Sequence, residues 1–416
     1  MNILIITQYY PPEIGACANR ISYMARFLAK KGHGVAVLTA APNYPDGEIY
    51  KGYKNRFHKE EMDGVTIARV PVILSKKKGV TGRLASYLSF VMNGMRQAKK
   101  MPAPDILWAT SPPLFTALIG LKAKKMWKVP LVMDIRDIWP ASIRDVQAVH
   151  NKHLLNIAER LAEKTYAAAD AITTTSDGIL QSLPTQHHVK AHVIPNGVDE
   201  KLFSEEAQKK ALSQNPLPQR LHHKFVVLYA GNLGLAQAPE VMIEAASLLH
   251  HGTKQIKKRD DIHFVIVGSG VRTESMRELA QQKQLTNITF TGIQPHEKIP
   301  AYIAHSNLCL IPYKAEETFR RTLASKVFDY MAGGKPIIIN LEGETAAIIK
   351  EAQCGFVAKD EDPRDLVKYI TYFADDPEVA AQMGHAGREY AMQHFRRETI
   401  AKKLEEVIMN LHATVP

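Results

Sequence analysis

The sequence predicts an α/β protein with two doubly wound domains, and three observations lead to this prediction. The chain has 416 residues, which is more than a single hydrophobic core usually accommodates. Short apolar runs that suit buried parallel strands alternate with segments of helical periodicity. Loops that contain glycine follow several of these runs, as expected where a parallel strand leads into a helix.

The first predicted domain begins with a strand, a helix and a second parallel strand. Ile3-Leu-Ile-Ile-Thr7 is a short apolar run, and the segment after Gly15 has apolar residues at helical spacing. Gly32 ends this helix, and Val35-Ala-Val-Leu38 is the next strand. Later strands are predicted at residues 105–109, 130–134 and 170–174, and helices near residues 115–127 and 151–168.

A second series of strands follows a polar stretch of the chain. Residues 201–224 contain Pro216 and Pro218 among many polar residues, so we predict a linker there. Residues 376–414 have helical character with few strand signals. The strands predicted between these two segments lie at residues 225–230, 263–267, 288–290, 308–311 and 336–339.

Charge and cysteine content narrow the class of protein. The net charge of +11 favours a phosphorylated ligand or an anionic membrane surface, and a basic surface without a partner is the alternative. No nucleic-acid-binding motif is present, so we expect no nucleic acid partner. Cys17, Cys309 and Cys354 are far apart, which argues against disulfides and a zinc site. The N-terminus has no signal-peptide pattern, and the apolar stretches fall short of the ~20 residues that cross a bilayer.

Loops in the second predicted domain have the composition of a diphosphate-binding site. Residues 231–237 and 268–272 each join a strand to a helix, where backbone N–H groups suit an anion. Lys326, at a further predicted helix start, or Arg272 would supply the countercharge. Asp329 shares a helix face with Lys326 and can reach a ribose diol, and an exposed ion pair between these two side chains is the alternative.

Seven short motifs occur in one order over nearly the whole chain. They are Gln8-Tyr-Tyr-Pro-Pro-Glu-Ile-Gly15, Pro42-Asn-Tyr-Pro45, Ala109-Thr-Ser-Pro-Pro-Leu114, Asp134-Ile-Arg-Asp-Ile-Trp-Pro140, Ile194-Pro-Asn-Gly-Val-Asp199, Tyr229-Ala-Gly-Asn-Leu-Gly234 and Ser325-Lys-Val-Phe-Asp-Tyr-Met-Ala332. In these motifs the chain resembles family 4 of the retaining glycosyltransferases, which have the GT-B fold. It is similar in particular to the bacterial branch that builds O-antigen and capsule repeats, including the enzymes assigned as N-acetylfucosaminyl (L-fucosamine) transferases.

The resemblance implies two facing Rossmann-like domains with an interdomain cleft. The acceptor-binding domain would span residues 1–198 and the nucleotide-sugar-binding domain residues 199–392, with a C-terminal helix at about residues 393–416 crossing back to the first domain. The implied donor is a UDP-sugar, and we favour a UDP-N-acetyl-6-deoxyhexosamine. The implied acceptor is a saccharide linked to undecaprenyl diphosphate, which would place the protein at the inner face of the cell membrane as a peripheral cytoplasmic enzyme.

The resemblance also implies roles for particular residues. Arg136 and Asp137 would lie near the reacting carbon, and Lys326 would neutralise phosphate charge, so these three are the candidate catalytic residues. Asp329 would hold the ribose hydroxyls, and Gly292 would border the base. The candidate donor-binding residues are Gly15, Ala16, Gly231, Asn232, Gln237, Arg272, Gly292, Ile293, Glu316, Glu317, Arg321, Ser325, Lys326 and Asp329.

The chain departs from the pattern of this family in two places. The family commonly has two glutamates separated by seven residues, and Arg321 stands where the first is expected, so Glu316 or Glu317 would replace it. Asn232 and Gln237 replace the usual arginine and lysine of the diphosphate loop. No DxD motif stands out, so we expect a reaction that needs no metal ion and no cofactor besides the donor.

Residues 75–102 combine basic and apolar side chains, which is typical of a membrane-interface segment. A helix packed on the core with a solvated basic face is the alternative. The candidate membrane and acceptor residues are Lys76, Lys77, Lys78, Arg83 and Arg96.

Two alternatives in function stay open at this point. A two-domain oxidoreductase would need a GxGxxG motif after its first strand, and Pro11-Pro-Glu-Ile-Gly15 lacks that pattern. A non-catalytic nucleotide-sugar-binding protein is the second alternative, because Arg321 replaces an acidic residue of the family.

Overall fold

The computed structural model describes residues 1–75, 80–145 and 151–413. The chain divides into two compact units, Met1–Pro195 with Glu398–Pro416 and Asn196–Arg397. Within the described ranges, none of the helices combines the length and apolar character that a bilayer crossing requires.

The first unit is built on an eight-stranded sheet. Its strands are β1 (Asn2–Ile6), β2 (Gly34–Ala40), β3 (His58–Met62), β4 (Val65–Val70), β5 (Ile106–Ser111), β6 (Leu131–Ile135), β7 (Ala171–Thr174) and β8 (Ala191–Val193). They lie in the order β3-β4-β2-β1-β5-β6-β7-β8. All neighbours are parallel except β3 and β4, which form an antiparallel hairpin at one edge. The sequence predicts no strand at β3 because its residues are mostly charged and exposed.

Helices cover the sheet of the first unit. They are α1 (Ala16–Lys30), α2 (Val80–Ala98), α3 (Thr116–Trp127), α4 (Ala141–Asp145), α5 (Lys152–Ala168) and α6 (Asp177–Ser182), with a 3₁₀ helix at Thr185–Lys190. The apolar face predicted for α1 is buried, and the helix ends just before Gly32 as predicted. The C-terminal helix, Arg397–Ala413, returns to this unit, where Glu405 Oε1 lies 3.1 Å from His33 Nε2. The predicted return of this helix is therefore confirmed.

The second unit is built on a six-stranded sheet in which all neighbouring strands are parallel. Its strands are β9 (Phe225–Ala230), β10 (Ile262–Val267), β11 (Ile288–Gly292), β12 (Leu308–Ile311), β13 (Ile337–Ile339) and β14 (Gly355–Val357), in the order β11-β10-β9-β12-β13-β14. Its helices are α7 (Glu205–Ser213), α8 (Pro239–His251), α9 (Thr273–Gln282), α10 (Ile299–Ala304), α11 (Glu317–Arg320), α12 (Lys326–Ala332), α13 (Glu344–Glu351), α14 (Pro363–Asp375) and α15 (Pro377–His394). Two 3₁₀ helices lie at Gln219–Leu221 and His296–Lys298.

The polar stretch at residues 201–224 is a folded part of the second unit, so the linker prediction is wrong. Helix α7 lies within it, and Phe203, Leu217 and Leu221 are buried. Ser204 caps α7 by accepting a hydrogen bond from the backbone N–H of Ala207. The stretch looks like a loop in composition because most residues of α7 face solvent.

Both sheets have a topological switch point that places a binding crevice. In the first unit β1 lies between β2 and β5, and in the second unit β9 lies between β10 and β12. Ligands of open parallel sheets bind beyond the carboxyl ends of the strands at such points. The two doubly wound α/β units confirm the predicted fold class. The loops after β1 and β9 are the expected positions of a ligand site.

Candidate functional site

Lys326 lies at the switch point of the second sheet, against the loop that follows β9. Its Nζ is 5.4 Å from the ring centroids of both Tyr229, at the end of β9, and Tyr313, after β12. Its Cε lies 3.1 Å from the position that a Cβ at Gly231 would take, so glycine at this position leaves space for the lysine. The ammonium is thus held between two aromatic rings, which attract cations.

Among the residues that the structure describes, no carboxylate forms an ion pair with Lys326, which is half-buried. Burial is the one cause that shifts its pKa, which falls from the ordinary value to about 8. At neutral pH the side chain is therefore still an ammonium, but one that has lost part of its hydration. An anion that enters the crevice would replace the lost hydration, so an ammonium in this position suits a phosphate.

The loops that follow β9 and β10 hold each other through their backbones. Gly231 N donates to Val267 O at 2.9 Å, and Leu233 N donates to Ser269 O at 3.1 Å. Gly268 has a φ of 125°, and a Cβ there would lie 2.0 Å from Gly231 O. The expected role of the Gly231 N–H as a donor to the diphosphate is therefore corrected, because this N–H is already bonded to Val267 O. The close packing of the two loops depends on the glycine at position 268.

The polar side chains of the β9 loop divide between internal and exposed positions. Gln237 Oε1 accepts a hydrogen bond from Gly234 N at 3.0 Å, so this side chain braces the loop. Tyr229 Oη donates to Asn232 O at 2.7 Å, while the Asn232 side chain is exposed. Of the predicted polar donors in this loop, Asn232 is the one whose side chain faces solvent.

Arg272 forms an ion pair with Glu240 at the start of α8. Its guanidinium is therefore compensated by a carboxylate, in contrast to the ammonium of Lys326. Of the two countercharges predicted from the sequence, the structure favours Lys326.

Asp329 faces His296, a residue that was not predicted from the sequence to belong to the site. Asp329 Oδ2 lies 3.9 Å from His296 Nε2, so the predicted alternative of an ion pair with Lys326 is wrong. Burial alone would lower the pKa of His296, but the negative charge of the nearby Asp329 raises it above its ordinary value. His296 lies in the loop that follows β11, shortly after Gly292. This position after a strand is the feature of the sequence that could have marked His296 as a candidate site residue.

Gly292 and Ile293 mark the carboxyl end of β11. Gly292 O accepts a hydrogen bond from Gly268 N at 2.8 Å, and no atom lies within 4 Å of the position of a Cβ at Gly292. Ile293 is 47% exposed. An open glycine beside an exposed apolar side chain fits the flat face of a base.

Arg321, which stands where the resemblance predicts a glutamate, lies just after α11, and its neighbours Glu316 and Glu317 lie at the start of this helix. Arg321 Nε is 3.0 Å from Glu317 Oε1, and both side chains are exposed. Glu316 precedes α11 and is half-buried. Arg321 thus satisfies its charge with Glu317, and Ser325 occupies the position before α12.

In the first unit, the candidate residues lie beyond the carboxyl ends of β1 and β6. Ala16 begins α1, and Tyr44 Cε1 lies 3.9 Å from the position of a Cβ at Gly15. Arg136 Nη2 donates to Pro112 O at 2.7 Å. Burial raises the pKa of Asp137, whose Oδ1 accepts its neighbour's N–H. Gly15, Pro112 and Arg136 thus follow the carboxyl ends of β1, β5 and β6, which are adjacent strands of the sheet.

A buried ion pair between Arg20 and Asp134 lies next to the side chain of Arg136. Arg20 Nη2 donates to Asp134 Oδ1 at 2.9 Å, and its Nε donates to Asp134 Oδ2 at 3.3 Å. Thr173 Oγ1 donates to the same carboxylate at 2.7 Å. Arg136 Nε lies 3.6 Å from Asp134 Oδ2. The motif around Asp134 thus joins α1, β6 and β7, and Arg20 was not identified from the sequence.

Helix α2 packs on the core of the first unit, and its solvent-exposed residues include both apolar and basic side chains. Phe90 and Val91 are buried, whereas Leu88 and Met92 are 43% and 55% exposed. Arg83 and Arg96 are exposed on the same helix. Lys76, Lys77 and Lys78 lie outside the described residues.

No group of three or more histidine, cysteine, aspartate or glutamate side chains that could hold a metal ion occurs among the residues described above.

Comparisons with known proteins identify the family. Residues 217–390 match the family Glycosyl transferases group 1, and residues 15–197 match the Glycosyl transferase 4-like domain. The chain is 26% identical over 355 residues to WcaI of Escherichia coli (strain K12), a protein assigned as a colanic acid biosynthesis glycosyl transferase, and the match covers 83% of this chain and 84% of that protein.

Two solved structures share the fold. Sucrose-phosphate synthase from Thermosynechococcus elongatus has a TM-score of 0.79 at 19% identity and covers 99% of each chain. Anabaena HepE in complex with UDP-glucose has a TM-score of 0.69 at 18% identity and covers 99% of this chain and 100% of that one. The two family models together match most of the chain, so it belongs to the glycosyltransferases that they describe, and the likeness to the two solved structures shows that it has the GT-B fold.

Proposed function

We propose that this glycosyltransferase moves a sugar, with retention of configuration, from a nucleoside diphosphate to a lipid-linked saccharide in the assembly of a surface polysaccharide. The observation that carries the proposal is the half-buried ammonium of Lys326, which lies at the switch point between Tyr229 and Tyr313 and forms no ion pair with a carboxylate of the described ranges. The relationship to WcaI supports polysaccharide assembly as the setting.

The chemistry of the transfer explains what each group would do. Negative charge develops on the β-phosphate oxygen as the bond to the sugar breaks, and a preorganised cation stabilises that charge. Lys326 is that cation. Asp329, oriented by His296 at 3.9 Å, accepts hydrogen bonds from the ribose hydroxyls, and the exposed Ile293 borders the base. No step of this scheme needs a metal ion or another cofactor.

The donor proposed here is a UDP-sugar, and UDP-N-acetyl-6-deoxyhexosamine is the specific candidate. The structural likeness to HepE, which was solved with UDP-glucose, supports the nucleotide. Arg321, in place of the family's first glutamate, pairs with Glu317 and so changes the charge of a region that contacts the donor sugar in the family.

UDP is expected to raise the melting temperature of the protein, because a ligand that binds the folded state stabilises it. At 100 times its Kd, a ligand adds about 2.7 kcal/mol to the free energy of unfolding. Differential scanning fluorimetry with UDP, GDP and NAD makes the comparison. Stabilisation by NAD and not by UDP would favour the oxidoreductase alternative, and UDP binding without turnover of any nucleotide sugar would favour the non-catalytic alternative.

We further propose that the outer face of α2 rests on the anionic inner surface of the cell membrane. Leu88 and Met92 supply exposed apolar surface, and Arg83 and Arg96 supply positive charge on the same helix. The net charge of +11 favours the same partner.

Reversal of both arginines, Arg83→Glu with Arg96→Glu, is expected to weaken binding to phosphatidylglycerol vesicles at least ~10-fold, since each basic residue near such a surface contributes about 1 kcal/mol. Co-sedimentation measures the effect, and wild-type binding should also weaken with added salt. Lys254→Glu with Lys257→Glu makes the same change of net charge in the second unit and should bind as the wild type does. Equal losses in both variants, or no wild-type binding, would refute this docking surface.

A further inference from the structure

The carboxylate of Glu13 is buried and accepts hydrogen bonds from three backbone N–H groups. Its Oε2 accepts from Tyr10 N at 3.1 Å, and its Oε1 accepts from Asn43 N and Tyr44 N, both at 2.9 Å. The residue is 2% exposed. A carboxylate is a strong acceptor when several N–H groups converge on it, so these bonds fix the backbone that supplies them.

These hydrogen bonds join two loops at the carboxyl edge of the first sheet. Tyr10 belongs to the loop after β1, whereas Asn43 and Tyr44 belong to the loop after β2. The sheet places β1 beside β2, so the loops are neighbours, but no other side chain bonds to the N–H groups of both loops among those described. Glu13 therefore sets the spacing of the two loops.

The consequence is the placement of the Tyr44 ring. Tyr44 Cε1 lies 3.9 Å from the position of a Cβ at Gly15, and its ring centroid lies 5.0 Å from that of Tyr9. Tyr44 remains 38% exposed. The ring thus covers the residue before α1 and still faces solvent, where a substrate can touch it.

We propose that Glu13 is a positioning residue for glycosyl transfer, whose carboxylate holds the loops after β1 and β2 so that Gly15 and Tyr44 present one surface to the substrate. This inference rests on the proposed function, and on Gly15 as a candidate donor-binding residue that the resemblance to the family implies. Glu13 itself does not touch substrate, because its oxygens are buried under the backbone that they hold.

The ionisation of Glu13 gives this role a distinctive pH dependence. Burial raises the pKa of Glu13 to about 7, and the three N–H donors and Arg69 act in the opposite direction. Protonation turns one accepting oxygen into a donor and so loosens a loop. The other titratable side chains that face Glu13 have pKa values raised by burial and stay neutral near pH 7; they are Tyr9, Cys17, Tyr44 and Tyr50.

Activity and stability are expected to respond to pH in opposite directions. Because the pKa in the folded state is raised, the contribution of Glu13 to stability is greatest at low pH and is lost as pH rises through about 7. Activity should instead fall as pH decreases below 7, since the ionised carboxylate holds the loops. For a residue that contributed to stability alone, activity and stability would not change with pH in opposite directions.

The test is the Glu13→Gln variant, which keeps the size of the side chain but replaces one acceptor with a donor. We expect kcat to fall at least ~10-fold with the KM for the donor within about twofold, because a small displacement of a substrate-facing loop costs rate rather than affinity. The acid limb of the wild-type pH profile near 7 should be missing from the variant.

Asp170→Asn is the matched control in the same unit. Asp170 Oδ2 accepts a hydrogen bond from Leu131 N at 2.8 Å, but at the start of β6, on the opposite edge of the sheet. This variant should lower the melting temperature and leave kcat within about twofold. If Glu13→Gln loses no more kcat than Asp170→Asn, the positioning role is refuted.

Tyr44→Ala keeps the backbone N–H that Glu13 binds and removes the ring that lies against Gly15. It should lose kcat to a similar extent, and the double variant with Glu13→Gln should lose little more, because both act through one surface. Full activity of Tyr44→Ala, or additive losses, would overturn the proposal even if Glu13→Gln did not fold. Absence of any nucleotide-sugar turnover by the wild type would instead refute the proposed function itself.

Discussion

Lys326→Met is expected to lower kcat by about 10²–10³-fold, the loss typical of removing one group that stabilises developing negative charge. The side chain keeps its volume between Tyr229 and Tyr313, so the packing of the crevice is preserved. Partial desolvation of this ammonium costs free energy, so the free energy of unfolding of the variant should stay equal or rise. Steady-state kinetics and urea unfolding of the same preparation test both statements.

The pH dependence of the reaction should reflect the ionisation of Lys326. Burial lowers the pKa of Lys326 to about 8, so its positive charge is present at pH 7 and is lost as pH rises through 8. The kcat/KM of the wild type, which reflects the free enzyme, should fall over that range. Lys326→Arg keeps its charge at higher pH and should lose this alkaline limb.

A second half-buried lysine provides the control for Lys326→Met. Burial also lowers the pKa of Lys335, and its Nζ donates to Ala304 O at 2.9 Å, but this residue lies before β13, at the amino edge of the sheet. Lys335→Met should lower the melting temperature and leave kcat within about twofold. Equal kcat values for Lys326→Met and the wild type would remove Lys326 from the candidate catalytic residues.

Asp134→Ala is expected to lower the free energy of unfolding by about 3–5 kcal/mol, because it leaves the Arg20 guanidinium buried without its partner. The two side chains are 1% and 0% exposed, and Thr173 loses its acceptor as well. Urea unfolding measures the loss. The exposed pair of Lys350 with Glu342 is the control, and Glu342→Ala should cost less than about 1 kcal/mol.

The double variant Arg20→Leu with Asp134→Leu separates the cost of an unpaired charge from the value of the pair. It should be more stable than Asp134→Ala, since no buried charge remains. A double variant that is less stable than Asp134→Ala would show that the pair contributes more than the penalty of breaking it.

Much of the fold was predictable because both sheets are mostly parallel and buried on two faces. Such strands are apolar runs, and β1, β9 and β10 stand out in the sequence for this reason. The hairpin strand β3 has no apolar face, and α7 exposes most of its residues, so neither carries a clear signal. Edge and surface elements depend on neighbours that a single sequence does not reveal.

The candidate site was predictable where charged residues mark a helix start. Lys326 and Asp329 were selected by their position in a predicted helix just before an apolar strand, and by the resemblance to the family. Glu13 was passed over because two of its three hydrogen-bond partners lie in another loop, 30 and 31 residues away. The pair of Arg20 with Asp134 spans 114 residues. Such contacts follow from the order of strands in the sheet, which the sequence motifs alone do not specify.

The backbone bonds between the β9 and β10 loops also bear on how this enzyme class changes substrates. Because a Cβ at Gly268 would lie 2.0 Å from Gly231 O, that junction tolerates no side chain. The exposed pair of Arg321 with Glu317 is under no such restriction. Under the proposed function, divergence towards new sugars would therefore proceed at the rim, by exchange of surface charges, while the loops proposed to lie beneath the nucleotide would be inherited intact.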